Sequence, residues 1–438
     1  MSRKSRRRGD RQGPYPRDLS FVTAQGAQTR KHKYFKDVQA FTMPVLFAIL
    51  LQSLVYAVIV GRDSFPNWGA AAIVCLSLGL VPLFTAFTLS AFRRHEAPIL
   101  SALAVTLVLF SFAVSFTSAL RLHQSYLGLL LALPVPLAIM AFANVRFHRG
   151  VSGRVAILAF NGIEELIPTI GQEVVVVSDP KANVTEFDTI LIDPHHHYTA
   201  EWADLLAGCY LGGTVMFPWT RYLEIRRGRV DVGSFDVTHL NYSPSQMLYA
   251  RAKRLLDVAA VVLTLPATVP LAALTALYIF ARDGAPVLFV QHRRGFGGRV
   301  FRMYKFRTMY KGTGGGSTTH GDKRIIPGCH LLRRLRLDEL PQLYNILIGD
   351  MSLIGPRPVA EYVARSSINF EEKYALRNLV LPGITGWAQV TSGYAATTEE
   401  EIEKLAFDLY YIKHLSFDLD LQILFKTVRT VLFGAGAR

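Results

Sequence analysis

The chain has 438 residues, enough for two or three folded units; half of them are hydrophobic and only 18% are charged. That balance argues against an ordinary soluble domain and points to a lipid bilayer. The formal net charge is +15, and the three cysteines, Cys75, Cys209 and Cys329, lie too far apart in sequence for a disulfide framework or a zinc spacing. Sparse, unpaired cysteines fit soluble parts that face a reducing compartment.

Residues 1–40 form a basic arm carrying eleven Lys and Arg against three acids. No aromatic residues interleave its first part, so no nucleic-acid partner is expected. A basic run directly ahead of apolar spans meets anionic headgroups and fixes orientation. It is also far too long for the n-region of a cleavable signal peptide. Four uncharged apolar stretches follow, at about 41–60, 68–92, 97–120 and 125–145. At ~1.5 Å per residue, each reaches across a ~30 Å hydrocarbon core. The expectation is a four-helix membrane anchor over 41–147, with both ends on the basic, cytoplasmic side. None of the four spans carries Asp, Glu, Lys, Arg or His, as an anchor would have it and an ion-coupled transporter would not.

Over 150–245 the pattern changes to short apolar runs, Arg154–Phe160, Glu173–Asp179 and Phe187–Asp193, separated by helical or loop segments. These predict a small, degenerate Rossmann-like α/β module with a mostly parallel sheet. Its first turn, Phe160-Asn161-Gly162, lacks the glycine fingerprint of a dinucleotide site. His195-His196-His197 cannot all reach one ion from a regular strand or helix, so a solvated loop is expected there.

A fifth apolar segment, within a helix at about 255–281, has basic flanks on both sides: Arg251, Lys253 and Arg254 before it, Arg282, Arg293 and Arg294 after it. Pro266 and Pro270, four apart, each remove a helical hydrogen bond. The two facts together predict a re-entrant, broken helix that enters from the cytoplasm, turns near Pro266 and returns. Thr264 and Thr268 are placed to satisfy carbonyls freed by the prolines. A kinked helix that crosses the bilayer is the alternative.

The last part, 250–438, concentrates charge around Arg333-Arg334-Leu335-Arg336-Leu337-Asp338-Glu339. Arginine forks match phosphate oxygens bidentately, and Mg²⁺ prefers one or two carboxylates with phosphate completing its shell. A carboxylate can also act as a nucleophile that divides a phosphoryl transfer in two. A salt-bridged surface helix would have the same composition. Leu405 to Phe433 reads either as amphipathic helices in the membrane interface or as helices packed on the core.

From Lys253-Arg254-Leu255-Leu256-Asp257 onward the chain resembles the bacterial sugar transferases, the monotopic phosphoglycosyl transferases. The stretches that carry the likeness are Gly284–Gln291, Lys305-Phe306-Arg307-Thr308-Met309, Leu337–Gln342, Gly349–Pro358 and Pro382–Val390. The four spans and the α/β module resemble the long, polyprenyl-phosphate hexose-1-phosphate transferase subgroup. The resemblance implies a monotopic α/β catalytic domain with a re-entrant helix. It implies Asp338 as covalent nucleophile and Glu339 as the Mg²⁺-binding neighbour. Lys305, Arg307, Arg336, Arg357 and Arg377 are its implied phosphate contacts. It further implies a UDP-hexose donor (glucose or galactose), a polyprenyl phosphate acceptor and a multi-pass protein of the bacterial inner membrane. The catalytic domain is expected in the cytoplasm, with a homodimer as one option for its assembly. Leu381, where a basic residue is common, and Thr391–Tyr394 depart from the family pattern. A non-catalytic scaffold for polysaccharide assembly is the rival to an active enzyme.

Overall fold

The computed structural model describes residues 38–62, 67–91, 98–150, 154–170, 174–184, 186–196, 199–212, 214–240, 242–312, 322–392 and 398–433. The basic arm, the linker arginines Arg93 and Arg94, His197 and the Gly393-Tyr394 departure lie outside the described residues. The chain forms two compact units, Met1–Leu223 and Glu224–Arg438.

The first unit opens with helices α1 (Thr42–Val60), α2 (Trp68–Ala91), α3 (Pro98–Ala119), α4 (Tyr126–Ala132) and α5 (Pro134–Gly150). Small and apolar side chains make their contacts, and a few buried polar groups tie them together, as membrane bundles require. Gln52, fully buried on α1, donates to the Leu78 carbonyl of α2 at 2.8 Å. Asn144 on α5 donates to the Pro98 carbonyl at 2.7 Å. Large apolar side chains such as Leu50, Leu76, Phe112 and Phe142 stay exposed on the outside of the helices. Among the described residues, five stretches are long and apolar enough to cross a membrane by length and composition. They are Thr42–Val60, Trp68–Ser90, Pro98–Ala119, Tyr126–His148 and Pro244–Asp283.

The α/β region follows as β1 (Val155–Leu158), α6 (Ile163–Ile170), β2 (Val175–Val177), β3 (Thr189–Ile192), α7 (Ala200–Leu211) and β4 (Val215–Pro218), with α8 (Trp219–Arg227) after it. The sheet is parallel throughout in the order β2-β1-β3-β4. Its central strands are apolar because both faces are covered. Strand β4 had no signal of its own in the sequence.

The second unit begins ahead of residue 250. Val230 and Phe235 lie in its core beside Trp387, Leu409 and Tyr411. Glu224 accepts from Lys413 at 2.8 Å and contacts His414 at 2.7 Å. Residues 224–240, grouped by composition with the α/β module, therefore pack with the second unit.

Helix α9 (Pro244–Asp283) starts at a capping box, Ser243 with Gln246, and has Pro244 in its first turn. It ends at Gly284, whose φ of 64° suits a residue without Cβ. It runs for 40 residues, ~60 Å, and stays helical through Pro266 and Pro270. The expected break at these prolines is therefore not observed. Its physical cost is confined to the carbonyls of Val262 and Pro266, four residues earlier in each case. Thr264 does not serve them either: its hydroxyl donates to Ala260 and Val261, and that of Thr268 to Thr264. Both halves of α9 pack on the same body. Val261 joins Met303, Ile346 and Met351, while Ile279 joins Phe306, Ile325 and Ile326. Much of the helix between remains exposed, Leu263 and Leu274 included.

Strands β5 (Leu288–Arg294) and β6 (Val300–Phe306) pair antiparallel, with Phe289 opposite Lys305 and Arg293 opposite Phe301. After α10 (Cys329–Arg334) comes a 3-10 turn, Leu337–Glu339, then α11 (Gln342–Ile348) and β7 (Ser352–Ile354). Helix α12 (Glu361–Phe370), β8 (Gly383–Thr385), α13 (Trp387–Thr391), α14 (Thr398–Lys413) and α15 (Phe417–Phe433) complete the unit. Helices α14 and α15 contribute Leu405, Leu409, Ile412 and Ile423 to the core. The C-terminal stretch is thus packed on the body, while Phe425 and Val428 of α15 remain exposed.

Three glycines explain two of the motifs. Strands β7 and β8 pair in parallel, and the backbone of Gly355 runs against that of Pro382, Gly383 and Gly386. A Cβ on Gly383 would lie 2.1 Å from the Gly355 nitrogen, and one on Gly386 the same distance from the Gly355 oxygen. Backbone atoms cannot yield as a flexible side chain does. Gly383→Ala should therefore cost about 3 kcal/mol, at the high end of overpacking effects. Thermal unfolding of the purified protein in nanodiscs would show this, and an unchanged midpoint would refute the close contact.

Candidate active site

The site is built on the segment Arg333–Asn345. Arg336 adopts a left-handed backbone, φ 59°, which for a residue with Cβ costs about 1–3 kcal/mol and is kept where surroundings impose it. This turn starts the 3-10 segment that presents Asp338 and Glu339. Seven residues on, Asn345 fixes the segment to the hairpin. Its fully buried side chain accepts from the Tyr304 amide at 3.1 Å and donates to the Arg302 carbonyl at 2.8 Å. That anchor brings the Lys305 end of β6 to the carboxylates.

Asp338 is 9% exposed, and its Oδ1 is buried with no hydrogen-bond partner. Burial, together with the neighbouring Glu339 charge, pushes its pKa up to about 6 despite Arg333, Lys305 and Arg336. Glu339 is equally buried and behaves in the opposite way. Burial alone would raise it, but Arg357 and Arg336 outweigh that and hold it below the usual carboxylate range. Each of the two guanidiniums lies 3.1 Å from its Oε1. The pair is thus differentiated by its surroundings into one unsatisfied carboxylate and one firmly ionised carboxylate.

The cations around the pair are strained by one another. Lys305, close to the Phe289 ring, is lowered to about 8 by burial and then by Arg293, with Asp338 opposing. Arg293 is lowered to about 10 by burial and then by Arg357. It donates to the Pro358 carbonyl at 3.1 Å and to Gln291 at 2.7 Å, yet its Nε is buried without a partner. Arg333 reaches Thr308 at 3.4 Å. Cations that depress one another's charge are poised for an added anion.

Of the residues expected at the site, Asp338, Glu339, Lys305, Arg336 and Arg357 come together. Arg307 and Arg377 do not join them as phosphate contacts. Arg307 is buried and spends its donors on the end of α9: on the Asp283 carboxylate, and on the carbonyls of Asp283, Gly284 and Pro286. Arg377 is buried against Asp408 at 2.7 Å and over the Tyr374 ring, and donates to the Arg357 carbonyl at 3.1 Å. A guanidinium with its forks already filled has little left for a ligand. Arg377 instead holds the backbone of the arginine that grips Glu339. Arg293 and Arg333 are the cations that motif reasoning passed over. Their signals were the alternation along β5, which puts Arg293 on the face of Phe289, and the place of Arg333 in the same charged run as Asp338.

Among the described residues, no three or more His, Cys, Asp or Glu side chains are grouped to hold a metal by themselves. Mg²⁺ asks for less, one or two carboxylates with phosphate and water, and Glu339, whose two arginines both sit on Oε1 and leave Oε2 aside, fits that demand.

A buried acidic pair ringed by cations thus sits on a body that grips both ends of an apolar helix. Comparison with known proteins places the chain in a family. The bacterial sugar transferase profile matches residues 248–434. A UDP-N-acetylgalactosamine-undecaprenyl-phosphate N-acetylgalactosaminephosphotransferase of Aeromonas hydrophila is 32% identical over 422 residues, 93% of this chain and 99% of its own. An undecaprenyl-phosphate glucose phosphotransferase of Komagataeibacter xylinus is 40% identical over 214 residues, 47% of this chain and 40% of its own. A UDP-glucose:undecaprenyl-phosphate glucose-1-phosphate transferase of Xanthomonas campestris pv. campestris is 37% identical over 219 residues, 48% of this chain and 42% of its own. The chain belongs to the bacterial sugar transferase family.

The raised pKa of Asp338 has a stability consequence. A carboxyl whose folded pKa lies above its unfolded value contributes stability at low pH that is lost as pH rises through about 6. Asp338→Asn keeps the shape without the charge. At neutral pH it should raise the melting temperature by about 3 °C, and by less near pH 4. A lowered midpoint at neutral pH would contradict the burial cost.

Proposed function

We propose that the protein transfers hexose 1-phosphate from a UDP-hexose to undecaprenyl phosphate, releasing UMP, through a covalent phospho-sugar on Asp338. The observation that carries this reading is the Asp338 carboxylate, buried with Oδ1 unpartnered in a ring of cations, beside a second carboxylate already neutralised by two arginines. An oxygen with no hydrogen bond to break is ready to attack. In the first step Asp338 forms a bond to the sugar-bearing phosphorus, and the bond from that phosphorus to the bridging oxygen breaks. UMP leaves with the electron pair. In the second step an oxygen of the acceptor phosphate attacks the same phosphorus and expels the carboxylate, giving polyprenyl diphosphoryl-hexose.

The residues divide the work. Arg357 and Arg336 keep Glu339 ionised. Lys305, Arg293 and Arg333 compensate charge that spreads over the equatorial oxygens, the main requirement of phosphoryl transfer. Bound Mg²⁺, held by Glu339 with donor phosphate oxygens, would neutralise the pyrophosphate. The body lies on the cytoplasmic side in this reading. The basic flanks of α9 and the packing of both its halves on one body support that placement. The product is the lipid-linked first sugar of an exopolysaccharide, capsule or O-antigen. Donors to compare are UDP-glucose, UDP-galactose and UDP-N-acetylgalactosamine, the last because of the Aeromonas relative's name.

Incubating the purified protein with Mg²⁺ and each donor, without acceptor, tests the intermediate by mass spectrometry. The expected result is a sugar-phosphate adduct on the Asp338 peptide with one UMP released, and loss of turnover by about 10⁴-fold in Asp338→Asn. No adduct with any donor in folded protein would favour direct transfer or a scaffold role.

The pH profile is a second test. The donor kcat/KM should rise through pH about 6 as Asp338 ionises and fall above about 8 as Lys305 loses its proton. Lys305→Arg retains the charge at high pH and should remove the alkaline limb alone. An unaltered alkaline limb in that variant would exclude Lys305 as its source.

A further inference from the structure

The site residues Arg336 and Glu339 also line a cavity of about 510 Å³ whose other walls are mostly apolar. Leu256 and Ala260 of α9 form one side, and Leu421 and Leu424 of α15 form another. The two helices both pack on β7 and are bridged by Lys253 on α9, 2.5 Å from Asp420 on α15. Tyr249 donates to the same carboxylate at 2.5 Å, so the walls are pinned where the cavity begins. Beyond these bonds the surface stays apolar: Leu255 and Leu263 of α9, with Phe425 and Val428 of α15, are exposed.

A sugar nucleotide has no use for such walls. The occupant they suit is an amphiphile with an anionic head at Arg336 and an apolar tail along α9 and α15. We infer that this groove holds the first part of the isoprenoid tail of the acceptor lipid, directing its phosphate to Asp338. The inference rests on the proposed function and deepens it. The volume is that of a small-molecule site, ~300–1,000 Å³. It takes only the head-proximal part of a long tail; the remainder lies on the exposed faces of α9 and α15. Arg336 thereby acquires two tasks, as the partner of Glu339 and as the cation at the groove's charged wall. Its left-handed backbone serves both by turning the side chain where the 3-10 segment begins.

The test uses the full chain in nanodiscs. Leu256→Trp and Leu424→Trp fill the groove from either side, and both positions are exposed enough to accept the larger ring. Leu248→Trp, on the same helix but outside the lining, is the control. The readout is the ratio of kcat/KM for undecaprenyl phosphate to that for the UDP-hexose donor. It should fall about tenfold in the two groove variants, the discrimination an apolar pocket gives for a few carbons, and hold in the control. An unchanged ratio in both groove variants would overturn the inference. Wild-type protein provides a readout that needs no variant to fold. Undecaprenyl phosphate carrying a diazirine near its head should cross-link to peptides containing Leu256 or Leu424. Adducts confined to other surfaces would overturn the inference. So would equal labelling there by a diazirine phospholipid, because bulk lipid would then fill the groove. Neither readout depends on an aspartyl adduct. A missing adduct with groove-directed cross-links would count against the covalent mechanism alone.

Discussion

Desolvation of two adjacent carboxylates is the constraint on which the rest of the catalytic body depends. Asp338 and Glu339 are consecutive, and both lie under the surface. Two like charges in low dielectric repel strongly, and each loses its water. The fold resolves the conflict asymmetrically. Arg336 and Arg357 are assigned to Glu339, which stays ionised, and Asp338 is left with a raised pKa and an unpartnered oxygen. The instability kept at Asp338 is the kind found where chemistry takes place.

Holding that arrangement requires a rigid frame, which explains residues that never touch a substrate. The close passage of Gly355 against Pro382, Gly383 and Gly386 fixes the turn from which Arg357 departs. Arg377 grips the Arg357 carbonyl from below while buried against Asp408, whose own pKa burial raises to about 6. Asn345 secures the other side by tying α11 to β6. Motifs of glycine, proline and arginine in one stretch are therefore of two kinds. Some build the frame, and others face the anion.

Sequence could not separate these kinds, for a physical reason. An arginine's type and spacing show that a guanidinium is present, but its direction depends on contacts made from distant segments. Arg307 lies two residues from Lys305, yet on leaving β6 it turns to the end of α9 rather than to the carboxylates. Arg377 was claimed by Asp408 from α14, thirty-one positions on. The Asp338-Glu339 pair was legible as two adjacent carboxylates in an arginine-rich run, and the long apolar helices were legible because length and composition decide them. The parallel strands β1 to β3 showed as short apolar runs. Strand β4 was hidden because Val215–Pro218 is an edge strand that pairs with β3 alone and ends at a proline. Pro266 and Pro270 misled in a similar way. Each removes one hydrogen bond, but the helix on either side keeps enough bonds to carry the chain through.

Helix α9 joins the two halves of the problem. Its first turns carry Tyr249, Lys253 and Asp257 into a buried polar network with Asp420 and Ser352, and its last residue receives Arg307. Arg254 caps the carbonyls of Ile346 and Leu347 at the end of α11, the helix that follows the acidic pair. The apolar middle of the helix is thus clamped at both ends to the segment that carries the chemistry. Any displacement of α9 in lipid is transmitted to the position of Asp338 through polar bonds rather than through soft apolar packing. Under the proposed function the site meets a water-soluble donor and a lipid-bound acceptor, and it needs that stiffness. The two substrates approach from different media, and only the protein can bring their phosphorus and oxygen atoms to one point.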